Sequence, residues 1–407
     1  MNKSIRIVLT CLIHILISQG LHAASAAYSN DISDMRSFGN ASAVTARADS
    51  PATNWYNPAG LVRLQGTQMS ATLASENVYF EFDSVTGRTV EAEPGHYHIP
   101  SLFFTHTPNN RWAFGFGINA AYGLTTEWDD PLTDYISTRA EFKPVNFNPN
   151  LAYALNDSFS IAIGLDVHYA DGTIKKNINQ TLLNSYLYGT ATGMSALVVS
   201  PDALSSLEGD DTAVGANFAL LYSPTENIQM GLSYRSKVDF DLEGDTTLEG
   251  LTGLSALTFG SASYEVDAKL GIAIPATWTL GVAVKPTEST TLELDVEYAE
   301  WSVIDEFRIE YDGETDPVRL AILNMGNPID KDWDEPGTSP SVSKNVSLPT
   351  SRCFAEPVTA RRRSRKKRRT PCSRVSIITV STADSKSPSV IPASPSPWIT
   401  RTANRTM

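Results

Sequence analysis

Residues 111–124, Arg-Trp-Ala-Phe-Gly-Phe-Gly-Ile-Asn-Ala-Ala-Tyr-Gly-Leu, alternate along their whole length. Trp112, Phe114, Phe116, Ile118, Ala120, Tyr122 and Leu124 share one phase, with Ala113, Gly115, Gly117, Asn119, Ala121 and Gly123 between them. Period two is the signature of a strand, because successive side chains point to opposite faces. The pattern recurs in Phe159, Ile161, Ile163, Leu165, Val167 and Tyr169, and in Ile228, Met230, Leu232 and Tyr234. Two further runs, Tyr264 to Ile274 and Leu292 to Tyr298, set apolar residues against Glu, Asp, Lys and Gly.

Run length separates two kinds of β protein. Soluble strands average about five or six residues. Strands that cross a membrane need about nine to eleven. Several runs here reach that length, and aromatic residues stand near their ends, as Trp112, Tyr122, Phe159, Tyr169, Tyr222 and Tyr298 do. Aromatic girdles at two water interfaces are expected of an outer-membrane barrel. A large secreted sandwich is the alternative. Strand length and the small or polar opposing face favour the barrel. The expected strands are 67–83, 97–107, 111–124, 139–155, 157–175, 212–223, 227–240, 262–285 and 289–311. Pro144, Pro149 and Pro275 fall inside them, and each predicts a bulge, a kink or an edge.

Composition agrees with this reading. Of the 407 residues 19% are charged and 42% hydrophobic, against about 25% charged in ordinary soluble domains. Beyond the N-terminus no apolar run reaches the roughly 18 residues of a spanning helix. Residues 27–350 contain no cysteine, so no disulfide framework is expected there. Charge is unevenly placed: residues 1–350 carry 19 Lys and Arg against 43 Asp and Glu, whereas 351–407 carry 13 against 2.

Residues 1–26 read as a signal peptide. Lys3 and Arg6 precede an apolar core from Ile7 to Ile17, and Ala24-Ser25-Ala26 has the small-x-small form of a cleavage site. Residues 27–66 show little strand pattern and contain Asn54-Trp55-Tyr56-Asn57-Pro58-Ala59-Gly60-Leu61. Asn-Pro favours a turn, and Gly60 adds backbone freedom. A surface turn is the bland reading. Placed before the first strand of a barrel, the segment can instead fold into the lumen as a plug.

Residues 176–211 and 241–261 are expected to be long connections. Leu183, Leu187, Leu197, Leu248, Leu251 and Leu254 recur in them at helical spacing. Such apolar loops pack on each other or on a ligand. After Trp333 the alternation fades. Residues 335–407 are rich in Ser, Pro and Arg, and Arg361 to Arg369 form a basic run. A signal peptide on the same chain argues against nucleic acid as its partner. A disordered tail is one reading. Translation out of frame is another, since composition, charge sign and strand period change together.

His96-x-His98, with His106 nearby, invites a metal reading, but no cysteine or dense carboxylate cluster completes it. A polar strand-end role fits better. No nucleophile elbow, phosphate loop or zinc-protease helix is present. The expectation is a non-enzyme with no catalytic residue, metal or cofactor.

The order of features, a leader, then about forty residues holding Asn57-Pro58-Ala59-Gly60, then long strands, resembles the FadL family of outer-membrane long-chain fatty acid transporters. Arg111 to Gly117, Tyr122-Gly123-Leu124, and Leu294 to Tyr298 with Trp301 support it. The likeness covers residues 27–334. It implies an all-β transmembrane barrel, fourteen-stranded in the family and with about nine strands here, and a luminal hatch that includes Asn57, Pro58, Ala59 and Gly60. It also implies a kinked third strand, for which Gly115, Gly117 and Gly123 are candidates. Ligand capture would fall to the two apolar loops. The implied domains are signal peptide 1–26, hatch 27–66, partial barrel 67–334 and tail 335–407.

The function so implied is passive uptake of long-chain fatty acids or similar hydrophobic molecules across the bacterial outer membrane. Implied partners are that ligand, outer-membrane lipid and lipopolysaccharide, and the barrel-assembly machinery, with a monomer expected. Alternatives are a general porin, a non-functional truncated barrel and a secreted β-sandwich adhesin.

Overall fold

A computed structural model describes residues 29–330, apart from 31–32, 41, 85–86, 288–289 and 305, together with the backbone of 341–347 and 374–382. The expected signal peptide and most of the basic tail lie outside the described residues. The strands are β1 (Gly66–Val78), β2 (Glu81–Asp83), β3 (Thr89–Glu91), β4 (Gly95–Thr107), β5 (Trp112–Asn119), β6 (Leu124–Glu127), β7 (Arg139–Asn156) and β8 (Phe159–Ile178). They continue with β9 (Ala203–Thr225), β10 (Ile228–Arg235), β11 (Val238–Glu249), β12 (Ser263–Ile274), β13 (Thr277–Thr287) and β14 (Thr290–Ala299). Five shorter segments follow: β15 (Glu306–Phe307), β16 (Ile309–Tyr311), β17 (Ile329–Asp330), β18 (Ser341–Ser347) and β19 (Arg374–Thr382).

All but four of these strands form one antiparallel sheet in the order β18-β14-β13-β10-β9-β8-β7-β5-β4-β1-β19, with β6, β11, β12 and β16 attached beside that path. Among the described residues no ladder joins β18 to β19, so the barrel is not closed. The chain meanders up and down. Short turns join β4 to β5, β7 to β8, β9 to β10 and β13 to β14, and long excursions join the opposite ends. That asymmetry is the layout of an outer-membrane barrel. Among the described residues no helix is long and apolar enough to cross a membrane.

The alternation sorts the two faces. Phe104, Phe114, Phe116, Ile163, Leu165, Val214, Phe218 and Leu280 are exposed on the outside. Ala113, Ala162 and Ala219 are fully buried on the inside, beside Leu61 and Leu64. Near the short turns Trp112 stacks on Tyr153, and Phe159 meets Tyr222. Towards the other rim Tyr234 stacks on Trp278 at 4.3 Å. Phe159 and Tyr169 lie ten residues apart on β8. That is about 33 Å along a strand and about 25 Å across a membrane at a tilt of about 40°.

Several expected boundaries move, each for a local reason. The run 262–285 is two strands, β12 and β13, because Pro275 has no N–H for the ladder. The run 227–240 divides at Ser236, whose hydroxyl accepts from Ala216 N at 2.9 Å in place of a ladder carbonyl. The run 289–311 ends as a strand at Ala299 and turns through a 3-10 segment, Trp301–Val303. The stretch 176–211 is not a free loop: β8 runs to Ile178, β9 starts at Ala203, and a helix lies between them. Likewise β11 carries 241–249 as strand. Pro149 pairs with Phe116 of β5, while its ladder to β8 lapses; there the Asn148 amide donates to Leu165 O at 2.7 Å.

The third pass of the chain is interrupted. β5 ends at Asn119 and β6 begins at Leu124, and both pair with β7. Between them Gly123 has φ +156°. Ala121 and Tyr122 are buried there, so Tyr122 does not continue the outward phase that its spacing predicts.

Candidate functional site

Residues 29–64 fold inside the concave face of the sheet. A helix, α1 (Met35–Gly39), starts at Asp34, which accepts from Ser37 N and so satisfies one of the unpaired N–H groups of the first turn. A second, α2 (Thr53–Tyr56), leads into a 3-10 segment, Pro58–Arg63. Asn57 caps that segment by accepting from Ala59 N at 3.1 Å, and Pro58 follows at the first position, where a missing N–H costs nothing.

The Asn57 amide also donates to Thr45 O at 2.7 Å and to Leu220 O of β9 at 3.0 Å. One side chain therefore fixes the turn, ties it to the preceding loop and pins both to the wall. Ala59 O accepts from Ser160 Oγ at 2.7 Å, and Leu61 O from Thr107 Oγ1 at 3.1 Å. A Cβ on Gly60 would lie 2.8 Å from Thr53 Cγ2, so no larger residue fits there. The four residues singled out from sequence are thus buried together against the wall.

Gly115 and Gly117 lie within the paired part of β5, not in the interruption. Their role is close approach: a Cβ on Gly115 would overlap Asn54 Oδ1, and one on Gly117 would lie 2.8 Å from the Phe103 ring. Of the three kink candidates Gly123 alone sits where the strand breaks. Asn54 uses the space so left to donate to Asn148 O at 2.9 Å and to accept from Asn150 Nδ2 at 3.0 Å.

Sequence reasoning did not find the charged group behind this contact. Asp166 accepts from Asn146 Nδ2 and Asn148 Nδ2, each at 3.0 Å, from Asn217 Nδ2 at 3.2 Å, and from Arg235. Arg235 also donates to Trp55 O and lies 3.5 Å over the Trp55 ring. Across the lumen Asp295 accepts from Val44 N at 2.9 Å and Thr45 N at 2.8 Å, and Arg47 reaches Glu293 at 3.2 Å. A usable signal existed: Asn146, Asn148 and Asn150 repeat at period two, in phase with the inward face. Within the plug, burial opposes the charge of Arg47, but Asp49 and Glu293 more than offset it and raise its pKa. Desolvation, with Asp34 nearby, raises the Tyr56 phenol.

At the strand interruption a cavity of about 310 Å³ is lined by Val78, Phe80, Ile99, Tyr122, Leu124 and Phe142, among others. Ser29 bridges to Tyr122 there, and Asn30 N donates to Ala121 O at 2.5 Å. At the long-loop end a helix, α3 (Gln180–Thr192), packs on a shorter one, α4 (Gly253–Phe259). Leu183, Leu248 and Leu251 are buried with Ala203, Phe259 and Ile322, and Leu187 packs on them. Leu254 is half-buried, and Leu197 is 74% exposed. Mutual packing thus occupies four of the six leucines expected to capture ligand. Leu182, Tyr186, Val199 and Leu257, apolar residues of the same two stretches, are also exposed.

Residues 15–331 match the profile of a family described as outer membrane protein transport protein (OMPP1/FadL/TodX). The long-chain fatty acid transport protein of Escherichia coli strain CFT073 is 26% identical over 280 residues, 62% of this chain and 63% of that one. The 47 kDa outer membrane protein of Pasteurella multocida is 26% identical over 224 residues, 53% of this chain and 52% of that one. The chain therefore spans less than two thirds of the length of these relatives. A Pseudomonas aeruginosa FadL homologue superposes with TM-score 0.59 at 18% identity, over 71% of this chain and 73% of its own. The P. putida toluene transporter TodX does so with TM-score 0.54 at 18% identity, over 84% and 78%. At such identities the structures establish the shared fold alone.

Proposed function

Because the chain belongs to the outer membrane protein transport protein family (OMPP1/FadL/TodX), we propose that it carries hydrophobic molecules, long-chain fatty acids or similar compounds, passively across the outer membrane. The observation that carries this reading is the apolar cavity at the break between β5 and β6, with Asn30 of the plug in its wall and Ser29 bridging to Tyr122 beside it. Exposed apolar side chains on the long loops collect the ligand. It moves down to the cavity, and a shift of the plug opens the way onward. Each buried methylene contributes about 0.8 kcal/mol, so a long chain binds without many polar contacts.

In this reading residues 27–66 are the hatch, with Asn57, Pro58, Ala59 and Gly60 as its fixed base, and 67–334 are the barrel. The surrounding partners are outer-membrane lipid and lipopolysaccharide, the assembly machinery inserts the chain, and the working unit is a monomer. A general porin is disfavoured: Phe240, Leu242, Leu270 and Ile274 fill the lumen above the plug with apolar side chains.

The test is uptake of a labelled long-chain fatty acid and of an aromatic hydrocarbon by a strain that lacks its own transporters. Expression of this chain is expected to raise uptake of one or both. Asn57→Ala, which frees the plug from Leu220 O, is expected to raise ion conductance in planar bilayers. Unchanged uptake of both compounds by membrane-inserted protein overturns the reading.

A further inference from the structure

Ser101, Asn119, Asn146 and His168 stand directly opposite one another on β4, β5, β7 and β8. Direct opposition places them on one face with Cβ atoms about 5 Å apart, so the last three span roughly 10 Å. Asn119 and Asn146 are 1% exposed and His168 is 3% exposed. Both amide atoms of Asn119, Oδ1 of Asn146 and Nδ1 of His168 have no hydrogen-bond partner. Buried polar groups are almost always paired, and one that is not calls for an explanation.

The row lies next to the cavity along the strands. Ile99 and Pro144 line it, and each stands two residues before a row member, Ser101 and Asn146, on the same strand face, about 7 Å along the strand. Tyr122 also lines it, and its ring lies 6.4 Å from His168. On its other side His168 meets Phe240 at 6.1 Å. His168 therefore sits between two aromatic rings, one of which lines the cavity.

The chemistry of the unpaired atoms selects a neutral ligand head. Asn119 offers one donor and one acceptor, Asn146 an acceptor, and His168 a ring nitrogen. The charges close by are compensated. Asp166 is enclosed by three asparagine amides and Arg235, and Arg235 is shared between Asp166 and Trp55. Lys143, on the cavity wall, is bound to Glu141 and half exposed. A carboxylate here would face two amide oxygens without a free cation among the residues just named. A hydroxyl can accept from Asn119 Nδ2 and donate to either amide oxygen.

We propose that Asn119, Asn146 and His168 form a recognition site for a neutral hydroxyl-bearing head, so that the preferred cargo is a long-chain alcohol type of molecule. This rests on the uptake reading above. The test uses the full chain purified in detergent, with a fluorescent apolar probe displaced by a long-chain primary alcohol, or by the fatty acid or the alkane of equal length. The alcohol is expected to bind roughly tenfold more tightly than either, as two neutral hydrogen bonds allow. Asn119→Leu is expected to bring the alcohol to the level of the alkane. Asn119→Thr, which keeps a hydroxyl, should retain part of the preference. Heat-modifiable gel mobility checks the fold of each variant, and if Asn119→Leu does not fold, the ligand series on native protein and Asn119→Thr decide. Equal binding of all three ligands, or preference for the acid, overturns the head-group site and leaves hydrophobic uptake standing. Binding of none overturns both.

Discussion

The two ends of the lumen hold their contents by different means. At the short-turn end the plug is tied to the wall by hydrogen bonds: Asn57 to Leu220 O, Asn54 to Asn148 O, and Ser160 to Ala59 O. Glycine at 115 and 117 lets the chains meet closely. At the long-loop end leucine packs on leucine around one polar knot. In that knot Gln180 donates to Pro201 O and Gly250 O and accepts from Ser255 Oγ at 2.6 Å. Directional bonds place a plug in one register and let go one at a time. Apolar packing is less particular about register and yields as a unit. In the proposed uptake, a gate built on the first and a collecting surface built on the second suit each to its task.

The comparison can be broken at several points. Arg235→Leu removes the partner of buried Asp166 and should have the largest effect. Leaving such a charge unpaired costs about 3–5 kcal/mol, read from urea unfolding of protein folded into lipid vesicles. A near-neutral result would mean that the plug contact is not held electrostatically. Leu251→Ala should cost about 3 kcal/mol through the cavity it leaves. Its effect should stay local, with faster proteolysis within 176–261 and an unchanged barrel transition. Global unfolding would show that the two ends are one cooperative unit. Leu197→Ser is expected to change stability by no more than about 0.5 kcal/mol and yet to lower uptake. Full uptake would remove Leu197 from the collecting surface.

Much of the fold was legible. Phe114, Phe116, Ile163 and Leu165 face outwards as their spacing predicts, and Ala113 and Gly115 face inwards. Among the described residues up to 330, nine long passes of the chain correspond to the nine expected strands. Pro275 marked a break that is present, though reading 262–285 as one strand passed over it. The interruption at 120–123 was less legible, because Ala120 and Tyr122 keep the period while the backbone leaves the ladder. Of the site, Asn57 could be singled out because a turn is a local event. Asp166 and Arg235 could not, since one inward charge on a strand looks like another until its neighbours are known. The leucines of 176–261 announced an apolar cluster but not which of them would remain free. Leu251 and Leu197 have the same chemistry, and only packing separates them.

Alone, the sequence determined that the chain is a series of long two-faced strands, because side-chain alternation is a property of the extended backbone itself; it did not determine which face points inwards, since the apolar phase is outward on β5 and inward on β11. Only the tertiary structure decided which inward groups meet. Asn57 reaches Leu220 and Arg235 reaches Trp55 across separations of 163 and 180 residues. Such meetings depend on the register of every ladder between them, which no local pattern contains.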